Sequence, residues 1–548
     1  MSEGRASIAG DYEFSPEEQP FAPGSPYSPR HPALRRAAYV AVAILAGIGS
    51  TFPSALTTVN VGSISGSLGV YAVEASWLPA IYFAANASAN LTLVKARAQF
   101  GIPAVTQTFL IASAASALLE LLHPTLATAA LARGLNGMAA AGLVTLTVYY
   151  LLQVFPPKLR PLALVIGLGL PQLGTPLARL IPVELLASDR WFGMHLLELA
   201  VPLGLLAATV ATPLPPSDRS RAFGPLDLVT IGLAVPAIFL VCGVLGLGRV
   251  VWWTDAPWLG WMLAAAVPLF TLAWLVETNR ARPLIQFGWL GTRDILRFAA
   301  VALLVRLALA EQTFGAVGLL TAGGLTNDQL GILFAWVLVA MSAGIAAAAL
   351  TLSERRLPWQ VMTAALCIAL GAWLDSGANN LTRPPQLYLS QALIGFGTTL
   401  FIGPALLFGV IRMLKRGPDY LVTIVVLFSL TQNVGALLGS AILGSYQTIQ
   451  ARAHAVALSA DLAGADPAVA TRLAAGAGSL AGTLADPAQR AGQGAGLLGR
   501  AMTQEANILA FDDVFRAVAL MALATAVYIA GLILVSALRG KQAMGRPA

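Results

Sequence analysis

Charge is what this chain has least of. Only 11% of its 548 residues are Asp, Glu, Lys or Arg, where a soluble globular chain carries roughly 25%. A conventional soluble globule does not fit that composition. Cysteine is almost missing too. Cys242 and Cys367 are the only two, and both lie in apolar segments, which argues against a disulfide framework or a metal cluster. Two small apolar core residues are the simpler account. Four scattered histidines make no catalytic or metal-ligand spacing. No Gly-x-x-x-x-Gly-Lys-Ser/Thr run occurs, so nothing supports ATP-driven work within this chain. No cofactor, no metal and no enzymatic constellation is expected. The net charge of +7 could suggest nucleic acid. Its basic residues, however, sit in short loops between apolar runs, so the expected partner surface is a lipid bilayer and no nucleic acid is expected.

What is present is apolar length. Hydrophobic residues make up 57% of the chain, and a bilayer-spanning helix needs about 20 of them in a row. Such windows predict fourteen spans, at 37–58, 76–94, 102–122, 126–151, 161–184, 194–213, 226–247, 257–276, 298–320, 329–351, 359–377, 386–411, 420–444 and 512–537. Helices are the expected form, because every backbone polar group in hydrocarbon needs an internal partner. The fold class is therefore all-α integral membrane.

Basic residues set the orientation. With the N-terminus inside, the cytoplasmic loops hold Arg35, Lys95, Arg97, Lys158, Arg160, Arg219, Arg280, Arg282, Arg355, Arg412, Lys415 and Arg546, among others. The outer loops hold little beyond Arg190, Arg249 and Arg383. Both termini are then cytoplasmic. Residues 1–36 are polar and Pro-rich and read as a disordered cytoplasmic tail, with no cleavable signal peptide. The remaining divisions are a six-helix half at 37–213, two linking spans and a loop at 214–297, five spans at 298–444, an outer segment at 445–511, the last span at 512–538 and a tail at 539–548. The outer segment is rich in Ala and Gly. Asp466-Pro467 and Asp486-Pro487 look like helix starts, so a helical hairpin outside the membrane is expected there.

An ionisable group inside a span is costly, so each one is a functional candidate. Arg133 lies about two turns into the fourth span. Arg306 and Glu311 lie in the ninth, about 140° apart round a helix, so they face different partners. Glu198 lies just inside the sixth span, one turn after His195. Glu311 and Glu198 are the proton-site candidates. Arg133, Arg306, Gln312, Gln172, Gln432 and Asn433 are candidates to line a substrate cavity; the amides could equally bond helices together. Pro171, Gly174 and Pro176 would let the fifth span bend.

Four stretches then carry a resemblance. They are Thr57 to Val61 with Ile64 to Gly69 and Ser76-Trp77-Leu78; Ala132 to Gly137 around Arg133; Gly167 to Arg179 followed by Trp191 to Gly204; and Gln504 to Phe515. In this order, on this span pattern, the chain resembles the fourteen-span drug:proton antiporters of the major facilitator superfamily, the EmrB/QacA-type branch. The resemblance implies two six-helix halves, two extra linking helices and proton-driven export of small organic, amphipathic or aromatic compounds. It implies that Arg133 faces the cavity and that Gly174, Pro176 and Arg179 belong to a gating motif. The 445–511 segment resembles the outer loop of members that work in tripartite pumps, which implies a bacterial inner membrane, a periplasmic adaptor and an outer-membrane channel as partners.

The departures are specific. The acid usual in the first span is Ala55 here, and the loop after the second span, Val94 to Gly101, has no acid. Glu311 is therefore the leading proton candidate. A facilitator without proton coupling, and a non-transporting sensor or scaffold, are the alternative readings.

Overall fold

A computed structural model describes residues 14–15, 18–20, 24–281, 283–414, 416–417, 420–462 and 466–544. Arg282, Lys415, Arg546 and most of the first 23 residues lie outside the described residues. Among those described, twelve helices are long and apolar enough to cross a membrane. The chain is a multi-pass membrane protein.

In chain order the helices are α1 (Ala33–Leu68), α2 (Trp77–Phe100), α3 (Ile102–Leu122), α4 (Leu126–Leu152), α5 (Pro157–Arg179) and α6 (Ser188–Ala211). Then come α7 (Pro225–Leu247), α8 (Pro257–Thr278), α9 (293–322), α10 (Asn327–Leu350), α11 (Leu357–Asp375) and α12 (Pro384–Leu414). Last are α13 (Leu421–Asp461), α14 (Pro467–Ser479) and α15 (Pro487–Met544). Of these, α2 and α9 occupy expected span positions but fall outside the twelve. Polar residues, Asn86, Asn90, Lys95 and Arg97 among them, interrupt the apolar run of α2. In α9 the helix stops at Ala308, widens into a π-helical turn over Glu311–Ala316 and resumes as Val317–Ala322.

In the first half α1, α2 and α3 all pack on α4, and α3 also packs on α6. In the second, α10 and α11 flank α12, while α15 packs on both α11 and α13. The halves meet along α2–α13 and along α5 with α10 and α12. The α7–α8 pair leans on α2 and α13. Small residues permit the close approaches, as is usual where helices associate in lipid. A Cβ on Gly137 of α4 would lie 2.5 Å from the Tyr82 carbonyl of α2, and one on Gly371 of α11 would lie 2.7 Å from the Ser390 carbonyl of α12.

Two expectations need correction. Residues 24–32, expected to be part of a disordered tail, pack against the first half. Tyr27 N–H donates to the Pro216 carbonyl at 2.9 Å, and its hydroxyl donates to Asp218 at 2.9 Å. His31 Nε2 is 3.0 Å from Gln153 Oε1. Gly24 lies so close to α2 that a Cβ there would meet Ala98 at 2.8 Å. The polar, Pro-rich composition hid these contacts, whose partners lie far along the chain. The second concerns the divisions drawn at 445 and 511, which fall inside helices, because α13 and α15 run straight through these positions. Nothing near Gly444 or Phe511 breaks a helix. The Asp466 and Asp486 carboxylates accept from the N–H groups of Ala468 and Ala488 at 2.8 and 2.9 Å, as N-caps do.

Candidate functional site

A cavity of about 1280 Å³ lies between the halves. Its walls come from α1, α2, α4 and α5 on one side and from α9, α10, α12 and α13 on the other. The halves touch in its floor through polar side chains. Asn90 Nδ2 donates to Ser429 Oγ at 2.9 Å, and Asn433 Nδ2 donates to Asn86 Oδ1 at 3.0 Å. These bonds join α2 to α13. At one end Arg179 donates to Asn327 at 2.7 Å and Val183 N–H donates to Asp328 at 3.2 Å, which ties the α5–α6 connection to the start of α10. The cavity also reaches Lys158, Arg160 and Glu354, in the loops expected on the cytoplasmic side.

Five candidates border this space: Arg306, Gln172, Gln432, Asn433 and Arg179. Arg306 Nε donates to the Gln432 carbonyl at 3.0 Å. Arg179 also stacks over Phe334, 4.8 Å from the ring centre. The other expected residues of the bending segment do packing work. Gly174 lets α5 approach α1, since a Cβ there would lie 2.9 Å from Phe52 N. Next to it Thr51 Oγ1 donates to the Pro171 carbonyl at 2.5 Å. Pro176 is buried in the same contact region.

Arg133 and Glu198 do not border the cavity. They form a buried network inside the first half, each with 1% exposure. Arg133 on α4 pairs with Glu198 on α6 at 2.5 Å and reaches Glu120 on α3 at 3.4 Å. It also donates to Thr57 Oγ1, and Thr57 in turn donates to Glu198 Oε1 at 2.8 Å. His195 Nδ1 lies 3.7 and 3.8 Å from the two carboxylates. Four helices thus converge on one cation. The ligand atoms of Glu120, His195 and Glu198 lie within 4.8 Å of one another, a juxtaposition that sequence spacing did not suggest. The Arg133 guanidinium fills the cationic position of that trio.

Glu311 is fully buried and faces away from the cavity, toward α11 and α12. Gln391 Nε2 on α12 donates to both Glu311 carboxyl oxygens, at 3.1 and 3.3 Å, and to Asp375 Oδ2 on α11 at 2.7 Å. One amide thus bridges the Glu311 and Asp375 carboxyls. Among the described residues no cation is paired with either acid. Gln312, the next residue, donates to the Gln391 carbonyl at 3.2 Å and also lies off the cavity.

Sequence reasoning passed over Asp375, Gln391, Glu120 and Asp227. Each lies in an expected span, so the rule applied to Glu311 would have found the three acids. Only tertiary contact reveals Gln391. Asp227 belongs to a separate lock on the linking pair. It holds Lys95 of α2 at 2.5 Å and also Arg280, which bridges to Glu277 at 3.1 Å.

No protein-family profile and no curated protein sequence matches this chain. Solved structures do. One titled for substrate recognition in proton-dependent oligopeptide transporters matches with a TM-score of 0.52 at 13% identity, over 92% of this chain and 100% of its own. A major facilitator superfamily proton:xylose symporter, XylE, with a bound deoxyglucose analogue, matches with a TM-score of 0.51 at 13% identity, over 92% of this chain and 97% of its own. A bacterial homologue of the human drug peptide transporters PepT1 and PepT2 gives 0.51 at 11% identity, over 91% and 99%. At such identities the likeness concerns the path of the backbone alone. With a cavity between two helical halves, it shows that this chain carries the major facilitator fold.

Proposed function

We propose that this protein is a secondary transporter that exports small organic compounds in exchange for protons, with the Glu311–Asp375 pair as its proton site. The observation that carries the reading is a pair of carboxyls bridged by one amide and buried without a cation among the described residues, one of them on the helix whose opposite face lines a large interhelical cavity. Ala310, Thr313 and Phe314 of that helix border the cavity while Glu311 turns away. Two carboxylates cannot both stay charged in an apolar surrounding without a partner. Loading and losing one proton is then the change of state available there, and the π-helical turn beginning at Glu311 is a place for the helix to respond.

The finer features follow the same reading. The chain crosses the membrane fourteen times, with α2 and α9 as spans whose polar residues serve the cavity and the proton site. Two six-helix halves rock about the cavity, and α7–α8 link them. The basic loops support cytoplasmic termini, and the reading sets the protein in a bacterial inner membrane. The extended parts of α13 and α15, with α14 against α15, then stand in the periplasm and offer a surface to an adaptor and its outer-membrane channel. The absent acid at Ala55 does not leave Arg133 without a counter-charge, because Glu198 and Glu120 supply it from α6 and α3.

The test is gradient-driven efflux from inverted vesicles, for wild type, Glu311→Gln and Asp375→Asn. Wild type is expected to move substrate when a pH gradient is imposed, and each variant to lose gradient-driven transport while keeping substrate exchange at equal pH. Transport that ignores the gradient in wild type makes the protein a facilitator. Full coupling in both variants places the proton site elsewhere.

A further inference from the structure

The cavity is strongly one-sided in charge. Six basic side chains border it against one acid, Glu354. Some of these cations have visible company. Arg97 lies over the Tyr149 ring, Arg249 over Phe314, and Arg179 on Asn327 and Phe334. What sets Arg306 apart is its neighbour, since among the described residues Arg179 and Arg249 meet no acid either. Arg306 sits in the wall contributed by α9, and its Nε–H is held by the Gln432 carbonyl. Among the described residues it has no acidic partner. Beside it the Gln432 side-chain amide, Nε2, is buried and makes no hydrogen bond. A guanidinium held through its Nε–H alone and an unpaired amide N–H thus lie side by side at the border of a large space.

A half-buried cation without a counter-charge and an unpaired buried N–H are both costly. An oxyanion removes both costs, and the planar fork of arginine suits it by geometry as well as charge. Around this polar spot the wall is apolar. Phe83 on α2, Phe314 on α9 and Phe428 on α13 border the same space, with Leu406 and Leu437. An inorganic ion would leave these rings in contact with water, whereas an organic anion with a flat apolar body covers them.

We infer that the cavity binds an organic anion, its carboxylate or sulfonate on Arg306 and Gln432 and its apolar body against Phe83, Phe314 and Phe428. This deepens the transport reading, and it rests on that reading only for calling the anion a substrate. The site also excludes something. A cationic amphiphile of the same shape would place its charge beside Arg306.

The experiment uses the full-length protein in lipid nanodiscs and four probes of one shape: naphthoate, naphthalenesulfonate, naphthamide and naphthylmethylammonium. Equilibrium binding is measured by calorimetry. The two anions are expected to bind at least about tenfold more tightly than the amide, the difference a charge-assisted hydrogen bond supplies, and the ammonium most weakly. Arg306→Gln is expected to erase the preference, and Arg306→Lys to keep part of it. Gln432→Leu, which leaves the cation in place, is expected to weaken the anions alone. Elution volume and thermal midpoint show whether each variant is folded. Anions that bind no better than the amide, or not at all, overturn the inference. So does a preference that survives in folded Arg306→Gln. Proteoliposome flux separates the two readings. Anions that bind but are not moved defeat transport and leave the site, whereas a protein that carries the ammonium probe with Arg306 irrelevant defeats the site and leaves transport.

Discussion

The Arg133 network allows a graded prediction. Replace Glu198 with Gln, and separately Glu120 with Gln. With an effective dielectric constant of about 20, the gross attraction between unit charges is about 6–7 kcal/mol at the 2.5 Å of Glu198 and about 5 kcal/mol at the 3.4 Å of Glu120. Glu198 also accepts from Thr57 at 2.8 Å, a bond to a charged group worth about 1.5–3 kcal/mol. Desolvation of each carboxylate offsets much of its gross attraction in wild type, and since both acids are buried the offset is similar in the two variants. Glu198→Gln is therefore expected to cost about 2–4 kcal/mol more than Glu120→Gln. The double variant leaves Arg133 buried with no acid and is expected to be the worst of the three, since removing the partner of a buried charge costs about 3–5 kcal/mol. Adding Arg133→Met to the double variant should recover much of that loss, because the uncompensated charge is gone. The assay is the thermal midpoint of the detergent-solubilised protein, followed by fluorescence-detected gel filtration. Equal midpoints for the two single variants, or a Glu120 variant below the Glu198 variant, would show that Arg133 is not held as the geometry says. Failure of Arg133→Met to rescue would refute the account of the charge itself.

Two further predictions concern packing and pH. Gly137→Ala places a methyl 2.5 Å from the Tyr82 carbonyl and 3.1 Å from Ala85 Cβ. Neither neighbour is a flexible tip, so α2 and α4 must separate, at about 1–3 kcal/mol. A thermal midpoint equal to that of wild type would mean the two helices are not so close. His31 lies just outside the first span, and burial lowers its pKa from the ordinary 6.5 against the opposing effect of its bond to Gln153. The neutral ring is the form that fits, so docking of residues 24–32 keeps full strength above pH 6.5 and weakens as pH falls below it. Hydrogen exchange of this segment should quicken from pH 7.5 to 5.5, beyond the intrinsic chemical trend, in wild type but not in His31→Gln; identical profiles in the two proteins would clear His31 of that role.

The helices were legible in the sequence because hydrocarbon enforces a simple rule. A run of about 20 apolar residues has to be a helix there, and all fourteen expected segments fall on helices. The failures are local and have causes. The tail at 24–32 docks through contacts with residues 153 and 216–218, far along the chain, that composition does not encode. The junctions at 445 and 511 were drawn where hydropathy drops, but a helix that leaves an apolar layer need not end. The site was half legible. A buried charge announces itself by cost, and Arg133, Arg306 and Glu311 were found that way. What answers each charge comes from helices far apart in the chain, so a single sequence cannot pair Arg133 with Glu120, or Glu311 with Asp375.

That asymmetry bears on how the protein would couple its two ligands. Arg306 and Glu311 are five residues apart, yet one is held by α13 and the other by α11 and α12. A change of charge at either end therefore loads the same short segment against different neighbours. A proton on the carboxyl pair strengthens or loosens the hold of α12 on α9 through Gln391. An anion on Arg306 shares that guanidinium with the Gln432 carbonyl of α13, which its Nε–H already meets. The π-helical turn from Glu311 to Ala316 lies on this segment, where the backbone ladder is already irregular and is least costly to rearrange. Reciprocity then fixes a consequence: if protonation weakens anion binding by some factor, the anion must weaken proton binding by the same factor. The anion's dissociation constant measured across pH, in wild type and in Glu311→Gln, gives that factor directly, and a pH dependence unchanged by the substitution would mean that α9 does not connect the two sites.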